Sequence, residues 1–369
     1  MNFLPILNQK CLDGDDLDSI RELIENDIGI DQFRKLLDDD QVWISECGDR
    51  PFHLFARFGK IPMAKWFASK IYDFNYLRRK NNKGACAIHI ACQEGHTDFV
   101  KFCLSMDASI VNSRDRFQRT PLIVASQFGQ VAIIDHLLVN CKADLEAVDF
   151  IGRSALMSAA VNRQDLVCLH LISKYKVNLT KRVSDEKGYQ FVHMAVEKGL
   201  KNVVTFLLEH CVTYATRSRD LMGNTPLMLA MQSKQFQIIQ LFLDTCNESV
   251  TMEITAARND NGFNFVHIGA SVGFLPRHKL LTLTLLNSKT LYNGDKAIHL
   301  ASKYGHFNII QILINKGVAF DCANFQGQTP LMLAKLHNQW PIVNLLILKG
   351  ASICRVNVDK VLKELNKVK

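Results

Sequence analysis

The sequence predicts an all-α fold in which one pair of helices is repeated and stacked along the chain. The first reason is a phrase that recurs, reading RTPLIVASQFG at residues 119–129, NTPLMLA at residues 224–230 and QTPLMLA at residues 328–334. The second reason is that the residues after the first copy, VAIIDHLLVN, place apolar side chains at helical spacing. A unit that recurs and buries its face against its neighbours is typical of a helical solenoid.

The period is defined by the position that threonine occupies in the clearest copies, which we call the cap position. Successive cap positions are 36, 34, 34, 36, 35, 39, 32 and 33 residues apart, and their nine occupants are Arg50, Cys86, Thr120, Ser154, Gln190, Thr225, Asn264, Lys296 and Thr329. Two residues earlier every copy has glycine except one, which has Gln118. Three residues later five copies have histidine: His53, His89, His193, His267 and His299. Because several columns keep one register, the repeat is not a chance alignment.

Each position of the unit has a structural reason. The Thr120 hydroxyl can cap a first helix by accepting a backbone N–H, and Pro121 follows where the amide would be unpaired. The small Ala125 lets first helices approach closely, and Gly129 allows the left-handed conformation that ends the helix. A second helix comes next. A stretch such as Asp149–Gly152 then turns back toward the next unit as a projecting loop, which we call a finger.

These columns resemble the ankyrin repeat, in which a turn with Asp and Gly precedes T-P-L-H-x-A, a glycine ends the first helix and the second helix is rich in Leu and Val. The resemblance covers about residues 45–355. It implies an ankyrin-repeat solenoid of about nine repeats with fingers like β-hairpins, and a module that binds other proteins. Only three copies keep Thr-Pro intact, at Thr120-Pro121, Thr225-Pro226 and Thr329-Pro330, so the others are worn.

We divide the chain into three parts. Residues 1–44 lie outside the register and predict an acidic cap of two short helices, since residues 1–40 hold eleven acidic residues against four basic ones. An acidic arm for a basic partner is the alternative. Residues 45–355 form the repeat array, and residues 356–369 predict a short C-terminal capping helix. Within the array, the long step around residues 246–258 predicts a bulged or mobile finger and a local change in stacking angle.

Composition excludes several classes of protein. No apolar run approaches the roughly 20 residues that cross a bilayer, and the first residues lack the features of a secretory signal. Eleven cysteines without a C-x-x-C pair predict reduced core residues in a reducing compartment. We therefore expect an intracellular protein, in the cytoplasm, with the nucleus as the alternative. The net charge of +8 combines the acidic head with a basic body.

The sequence contains no motif of a known catalytic site. There is no P-loop, kinase signature, G-x-S-x-G or H-E-x-x-H. The recurring histidines come from different repeats, about 10 Å apart, whereas metal ligands lie about 2 Å from one ion. The ankyrin resemblance instead implies that they make hydrogen bonds near the base of each finger. We expect no catalysis, no cofactor and no metal.

Fingers and first helices predict a concave binding surface. Residues eight positions after the cap position should point to it, among them Phe58 and Phe128. The finger tips, four and three positions before the cap position, carry unusually apolar side chains: Phe117, Phe150, Ile151, Leu221 and Met222. Exposed apolar patches tend to mark interaction sites, although each tip could instead fold back on the neighbouring finger.

A basic cluster accompanies the apolar tips. The residues of this cluster that we predict to bind are Arg78, Arg79, Arg114 and Arg116, and Lys80, Lys83, Arg119 and Arg153 lie in the same stretch. We expect it to select an acidic segment of a protein partner and to raise the rate of encounter. The alternatives are a solvated face without a ligand, contact with an anionic membrane surface, and nucleic acid, which is the least favoured because few aromatic residues interleave with the cations.

The sequence therefore predicts a non-catalytic scaffold or adaptor that holds a protein partner on the finger and inner-helix surface of the first five repeats. A first alternative is the cytosolic array of a membrane channel, because GFNFVH at residues 262–267 and GYQFVH at residues 188–193 look similar to repeats of ankyrin-class transient receptor potential channels. A second alternative is a binder of nucleic acid or anionic lipid that uses the basic fingers.

Overall fold

The computed structural model describes residues 48–70, 74–276 and 281–352, together with Glu22, Glu25 and Gly29. All regular elements in these ranges are helices, as predicted. They fall into two compact units, residues 1–185 and residues 186–369, and each unit is described by itself. The predicted caps at residues 1–44 and 356–369 lie outside the described residues, apart from the three named here.

The described residues of the first unit, from residue 48 onward, form four repeats of paired helices. In chain order its α-helices are Pro51–Phe58 (α1), Ile61–Lys70 (α2), Ala87–Glu94 (α3), Thr97–Met106 (α4), Pro121–Gln127 (α5), Val131–Asp135 (α6), Ala155–Val161 (α7) and Asp165–Lys174 (α8). Short 3-10 helices cover Phe74–Leu77 and Ala108–Asn112, and a π-helical turn, His136–Asn140, continues α6. The first helices pack in sequence, α1 on α3, α3 on α5 and α5 on α7.

The second unit forms five repeats in its described residues, which end at residue 352. Its α-helices are Phe191–Lys198 (α9), Lys201–His210 (α10), Val212–Arg217 (α11), Pro226–Gln232 (α12), Phe236–Thr245 (α13), Glu248–Ala256 (α14), Phe265–Val272 (α15), Leu283–Leu286 (α16), Ala297–Tyr304 (α17), Phe307–Asn315 (α18), Pro330–Leu336 (α19) and Trp340–Leu348 (α20). The first helices again pack in order, α9 on α12, α12 on α15, α15 on α17 and α17 on α19.

Each first helix begins directly after the predicted cap position. All nine predicted cap positions stand directly before a first helix with extended backbone. Thr120 is typical, because its hydroxyl accepts from the backbone N–H of Ile123. The alanine that most repeats have five residues after the cap position, such as Ala125 or Ala230, is fully buried. The predicted register is therefore confirmed.

The glycine columns coincide with left-handed backbone. Gly84 and Gly129, for example, have φ of 68° and 82°. Where the sequence lacks glycine the backbone keeps the same conformation, since Gln118 has φ of 60° and Lys234 has φ of 55°. The fold thus imposes the turn even on residues that adopt it at a cost.

Each finger is closed internally and bonded to its neighbour. In the third finger the Asp115 carboxylate accepts from the backbone N–H groups of Phe117 and Arg119, at 2.9 and 2.8 Å. The backbone N–H of Phe150, in the next finger, donates to the carbonyl oxygen of Phe117 at 3.0 Å. Successive fingers of the unit are therefore joined by backbone hydrogen bonds, which fixes the spacing of their tips.

The expectation of a bulged finger in the long step was wrong. The extra residues form helix α14, which Asn247 begins by accepting from the backbone N–H of Val250 at 2.9 Å. The finger that follows keeps the ordinary turn, in which the Asn259 N–H donates to the carbonyl oxygen of Phe263 at 2.9 Å. The added length is thus taken up as helix between α13 and the finger.

Candidate interaction surface

A groove of about 280 Å³ lies on the first unit between the third and fourth fingers and the C-terminal ends of α5 and α7. The fingers contribute Phe117, Arg119, Phe150 and Arg153 to its wall. The remaining lining residues are Gln127, Asp149, Ser158, Val161 and Asn162. The structure therefore brings together two of the predicted apolar tips and two of the arginines of the basic cluster.

The two phenylalanine tips form a pair at the mouth of this groove. The ring centroids of Phe117 and Phe150 are 6.1 Å apart, with an angle of 44° between the planes. The two residues are nevertheless 43% and 62% exposed. Each ring thus packs on the neighbouring finger and still offers apolar surface to a ligand.

Two ion pairs form the polar part of the groove. A terminal guanidinium nitrogen of Arg119 lies 2.7 Å from the buried Asp115 carboxylate, and Arg119 also donates to the Gln127 side chain at 2.9 Å. The Arg119 guanidinium carbon lies 5.1 Å from the Phe117 ring centroid. Arg153 Nε lies 2.9 Å from the buried carboxylate of Asp149. The sequence predicted that Arg119 and Arg153 are part of a basic cluster. It did not predict their ion pairs with aspartates, because these form only when each finger folds back on itself.

The four arginines predicted to bind a partner lie in different surroundings. Arg78 Nε lies 2.7 Å from Asp107 Oδ2 at the end of α4, and this hydrogen bond lowers the pKa of the Asp107 carboxyl to about 2. Arg114 donates to two carbonyl oxygens, Gln118 at 3.0 Å and Val148 at 2.7 Å. Arg116 is exposed at its finger tip, and Arg79 is half-buried. Arg78 and Arg114 therefore already hold neighbouring repeats together.

Arg114 belongs to a column that sequence reasoning missed. Six residues before their cap positions, Arg219 and Arg258 make the same two bonds, one to a carbonyl of their own finger and one to a carbonyl of the next connection. Lys80 at the equivalent position donates to the carbonyl oxygen of Arg114 at 2.8 Å. The sequence feature that could have predicted this column is a basic residue six positions before the cap position.

The other predicted binding residues are placed as follows. Phe128 is exposed directly after α5, whereas Phe58 and Ile151 are half-buried. Leu221 and Met222 are exposed on a finger of the second unit. A methyl group added at Gly188 would meet the Leu221 side chain, so this tip packs on the finger before it. Binding by these residues stays a prediction.

The histidine column bonds one repeat to the next. His89 Nδ1 accepts from the backbone N–H of Cys86 at 3.2 Å, and Nε2 therefore carries the proton and donates to the carbonyl oxygens of Ser113 and Arg119, both at 3.1 Å. Burial lowers the pKa of His89 to about 4. The same bonds recur at His53, His267 and His299. The predicted hydrogen bonds at the finger base are confirmed.

Two other kinds of feature are absent from the residues that the structure describes. No group of three or more His, Cys, Asp or Glu side chains there is arranged to hold a metal ion. None of the helices between residues 48 and 352 that the structure describes has both the length and the apolar composition of a membrane span.

Comparison with known proteins places the repeat in a family. The family model for ankyrin repeats (3 copies) matches residues 7–115, 104–182, 156–254 and 254–357. Transient receptor potential cation channel subfamily A member 1 of Homo sapiens is 28% identical over 304 residues, and NF-kappa-B inhibitor zeta of Mus musculus is 23% identical over 317 residues. Tyrosine-protein kinase HTK16 of Hydra vulgaris is 28% identical over 220 residues.

These matches cover much of this chain but a minor part of each relative. They span 71%, 83% and 56% of the chain, in the order channel, inhibitor and kinase, and 26%, 37% and 28% of those proteins. What the relatives share with it is therefore the repeat array, which is a general module for protein interaction. The family model covers most of the sequence, and the capped helix pairs and bonded fingers agree with it. The chain belongs to the ankyrin repeat family.

Proposed function

We propose that the chain is a non-catalytic interaction scaffold whose groove between Phe117 and Phe150 holds a segment of a protein partner. The observation that supports this most directly is the exposure of two phenyl rings at the mouth of a groove with a polar floor. Interfaces concentrate their binding energy in such aromatic anchors surrounded by polar groups. Membership of the ankyrin repeat family, a protein-interaction module, agrees with this function.

The groove favours an apolar side chain of the partner as the central anchor. Such a side chain would be covered by Phe117 and Phe150, and Phe128 lies next to the end of α5 to extend the apolar surface. Removal of one buried aromatic anchor typically weakens binding by about 2 kcal/mol or more.

Charge has a second role in this proposal. Arg119 and Arg153 are already paired with buried carboxylates, so the exposed Arg116 is the residue best placed to attract an acidic segment. Arg78, Arg79 and Arg114 add positive charge to the same unit. They are expected to raise the association rate more than the final affinity, and to do so less at high salt. We place the interaction in the cytoplasm, where the thiols that the structure describes as free stay reduced.

A capture experiment tests this function. The full chain and a Phe117→Asp, Phe150→Asp variant are immobilised, exposed to cell lysate, and the retained proteins are quantified by mass spectrometry. The control is Leu166→Asp, which introduces a single negative charge on helix α8 at a residue that is 78% exposed. Circular dichroism confirms that all three fold.

We expect a protein that the native chain and Leu166→Asp retain and that the double variant loses. Equal retention by all three would overturn the role of the groove. Retention of nucleic acid alone, released by salt, would instead favour the basic fingers as the binding element.

A second candidate is that the chain is the repeat array of a channel-like protein. It rests on the 28% identity to the transient receptor potential channel over 304 residues. An antibody against the second unit would then detect, in membrane fractions, a protein much larger than 41.8 kDa. A single species of 41.8 kDa outside those fractions would remove this candidate.

A further inference from the structure

The last two repeats of the second unit are unusually basic. Residues 281–352 contain two acidic residues, Asp295 and Asp321, and six lysines: Lys289, Lys296, Lys303, Lys316, Lys335 and Lys349. Both aspartates are engaged in the fold. Asp295 is buried and accepts from the side-chain amide of Asn324 at 2.8 Å, whereas Asp321 accepts from the Ser352 hydroxyl at 2.6 Å.

Two of these lysines lie over aromatic rings. Lys289 Nζ is 5.2 Å from the ring centroid of Phe325, and Lys303 Nζ is 5.4 Å from that of Tyr304. Within the part of the chain that the structure describes, neither lysine forms an ion pair. This differs from the first unit, where Arg119 and Arg153 are paired with buried carboxylates. A negatively charged ligand would therefore find these two charges uncompensated.

Several large apolar side chains of the same repeats are also exposed. Tyr292, Tyr304, Phe325 and Leu336 are all at least half exposed, at 68%, 50%, 62% and 66%. We call them, with Lys289 and Lys303, the lysine–aromatic surface. An exposed set of this size on one pair of repeats is the kind of patch that marks an interaction site.

Repeat equivalence places these residues on one face. Phe325 stands four residues before its cap position, as Phe150 does, and Leu336 stands seven residues after it, as Val161 does. Phe150 and Val161 line one groove in the first unit. The Phe325 backbone N–H donates to the carbonyl oxygen of Asn293 at 2.9 Å, and its ring lies over Gly294. The finger tip is therefore held in place before any ligand binds.

We propose that the lysine–aromatic surface binds a partner peptide in which acidic side chains are interspersed with apolar ones. The carboxylates would pair with Lys289 and Lys303, and the apolar side chains would cover Tyr292, Phe325 and Leu336. The same mixture of rings and cations also suits single-stranded RNA. A protein ligand fits better, because residues 281–352 contain no arginine, which is favoured for phosphate recognition, and because Leu336 offers no stacking surface. This proposal does not depend on the groove of the first unit.

The test selects ligands without assuming a sequence. A random peptide library displayed on phage is panned on the immobilised full chain, and the enriched peptides are synthesised and titrated by fluorescence anisotropy. The test variant is Lys289→Glu, Lys303→Glu. The control is Lys316→Glu, Lys349→Glu, which makes the same change of charge at two exposed lysines that follow the outer helices α18 and α20. Circular dichroism and thermal melting verify the fold of both.

We expect enriched peptides that contain acidic and apolar residues, bind about tenfold more weakly to the test variant, and change little with the control. Enrichment of peptides without acidic residues, equal loss in both variants, or no enrichment would overturn the proposal. So would tight binding of a single-stranded RNA probe that the test variant abolishes. Peptides lost only in the Phe117→Asp, Phe150→Asp variant belong to the groove of the first unit, so the two proposals fail separately.

Discussion

The guanidinium of Arg114 donates a hydrogen bond of 2.7 Å to the carbonyl oxygen of Val148, in the connection that leads to the next repeat. The same nitrogen reaches the carbonyl oxygen of Gln118, in its own finger, at 3.0 Å. Arg114, which the sequence predicted to bind a partner, thus joins two repeats through these hydrogen bonds, and we call this pair of bonds the Arg114 clamp.

Loss of this clamp should cost stability. We expect Arg114→Met, which keeps the aliphatic stem, to lower the free energy of unfolding by about 1–2 kcal/mol because two carbonyl oxygens lose a charged donor. The control is the exposed tip residue, because Arg116→Met should change the free energy of unfolding by less than about 0.5 kcal/mol. Urea unfolding followed by circular dichroism measures both. A larger effect at Arg116 would contradict the assignment of the clamp.

The histidine column predicts sensitivity to acid. Burial lowers the pKa of His89 from 6.5 to about 4, so the unfolded chain binds more protons than the folded chain between these values. The stability that neutral His89 provides is therefore complete above pH 6.5 and is lost as the pH falls toward 4, by about 3 kcal/mol for a shift of this size. Urea midpoints between pH 7 and pH 4.5 should fall less steeply in His89→Gln than in the native chain.

The control for this measurement is His337→Gln, at an exposed residue after α19. It should keep the native dependence on pH. If His89→Gln also kept it, the buried histidine would not be the group responsible.

Residues other than glycine that have left-handed backbone should give a more stable protein when they are replaced by glycine. Lys234 has φ of 55° at the position where Gly199 stands in the preceding repeat with φ of 77°. We expect Lys234→Gly to raise the free energy of unfolding by about 0.5–1 kcal/mol, because glycine adopts this conformation without strain. Lys198→Gly, at the last residue of α9, should lower the free energy of unfolding by up to about 1 kcal/mol. A rise of the melting temperature in both variants would refute the explanation by backbone conformation.

The contact beneath Phe325 can be measured with a matched pair of glycines. A Cβ atom added at Gly294 would lie 2.6 Å from the nearest ring carbon of Phe325, whereas nothing lies within 4 Å of one added at Gly317. Both residues have positive φ, 66° and 82°, so both alanine variants carry the same kind of backbone strain. We expect Gly294→Ala to be less stable than Gly317→Ala by about 1–3 kcal/mol in thermal unfolding. Equal stabilities would mean that the ring moves aside freely.

The sequence predicted the start of every first helix because capping is local chemistry. Thr120, its proline and the glycine that ends α5 are close in sequence, so their pattern can be recognised without the fold. Exposure of the tips Phe117 and Phe150 was predictable for the same reason, as both lie in turns between helices.

Contacts between repeats could not be predicted in this way. The carbonyl oxygen of Val148 that Arg114 reaches lies in another repeat, so only the packed structure shows that this cation is engaged. The excess length before Asn259 was visible in the spacing. That these residues form a helix depends on the N-cap at Asn247, which we did not recognise because we expected a loop there.

Helices α11 and α14 have a consequence for how such chains diverge. Both lie between a second helix and the next finger, yet the turns that follow them still close normally, with N–H to carbonyl bonds from Asp220 to Asn224 and from Asn259 to Phe263 of 3.1 and 2.9 Å. The step that contains α11 has the ordinary 35 residues and the step that contains α14 has 39, so the extra residues of the longer step are absorbed as helix before the finger. A repeat can therefore become longer at this place while the finger that follows keeps its turn.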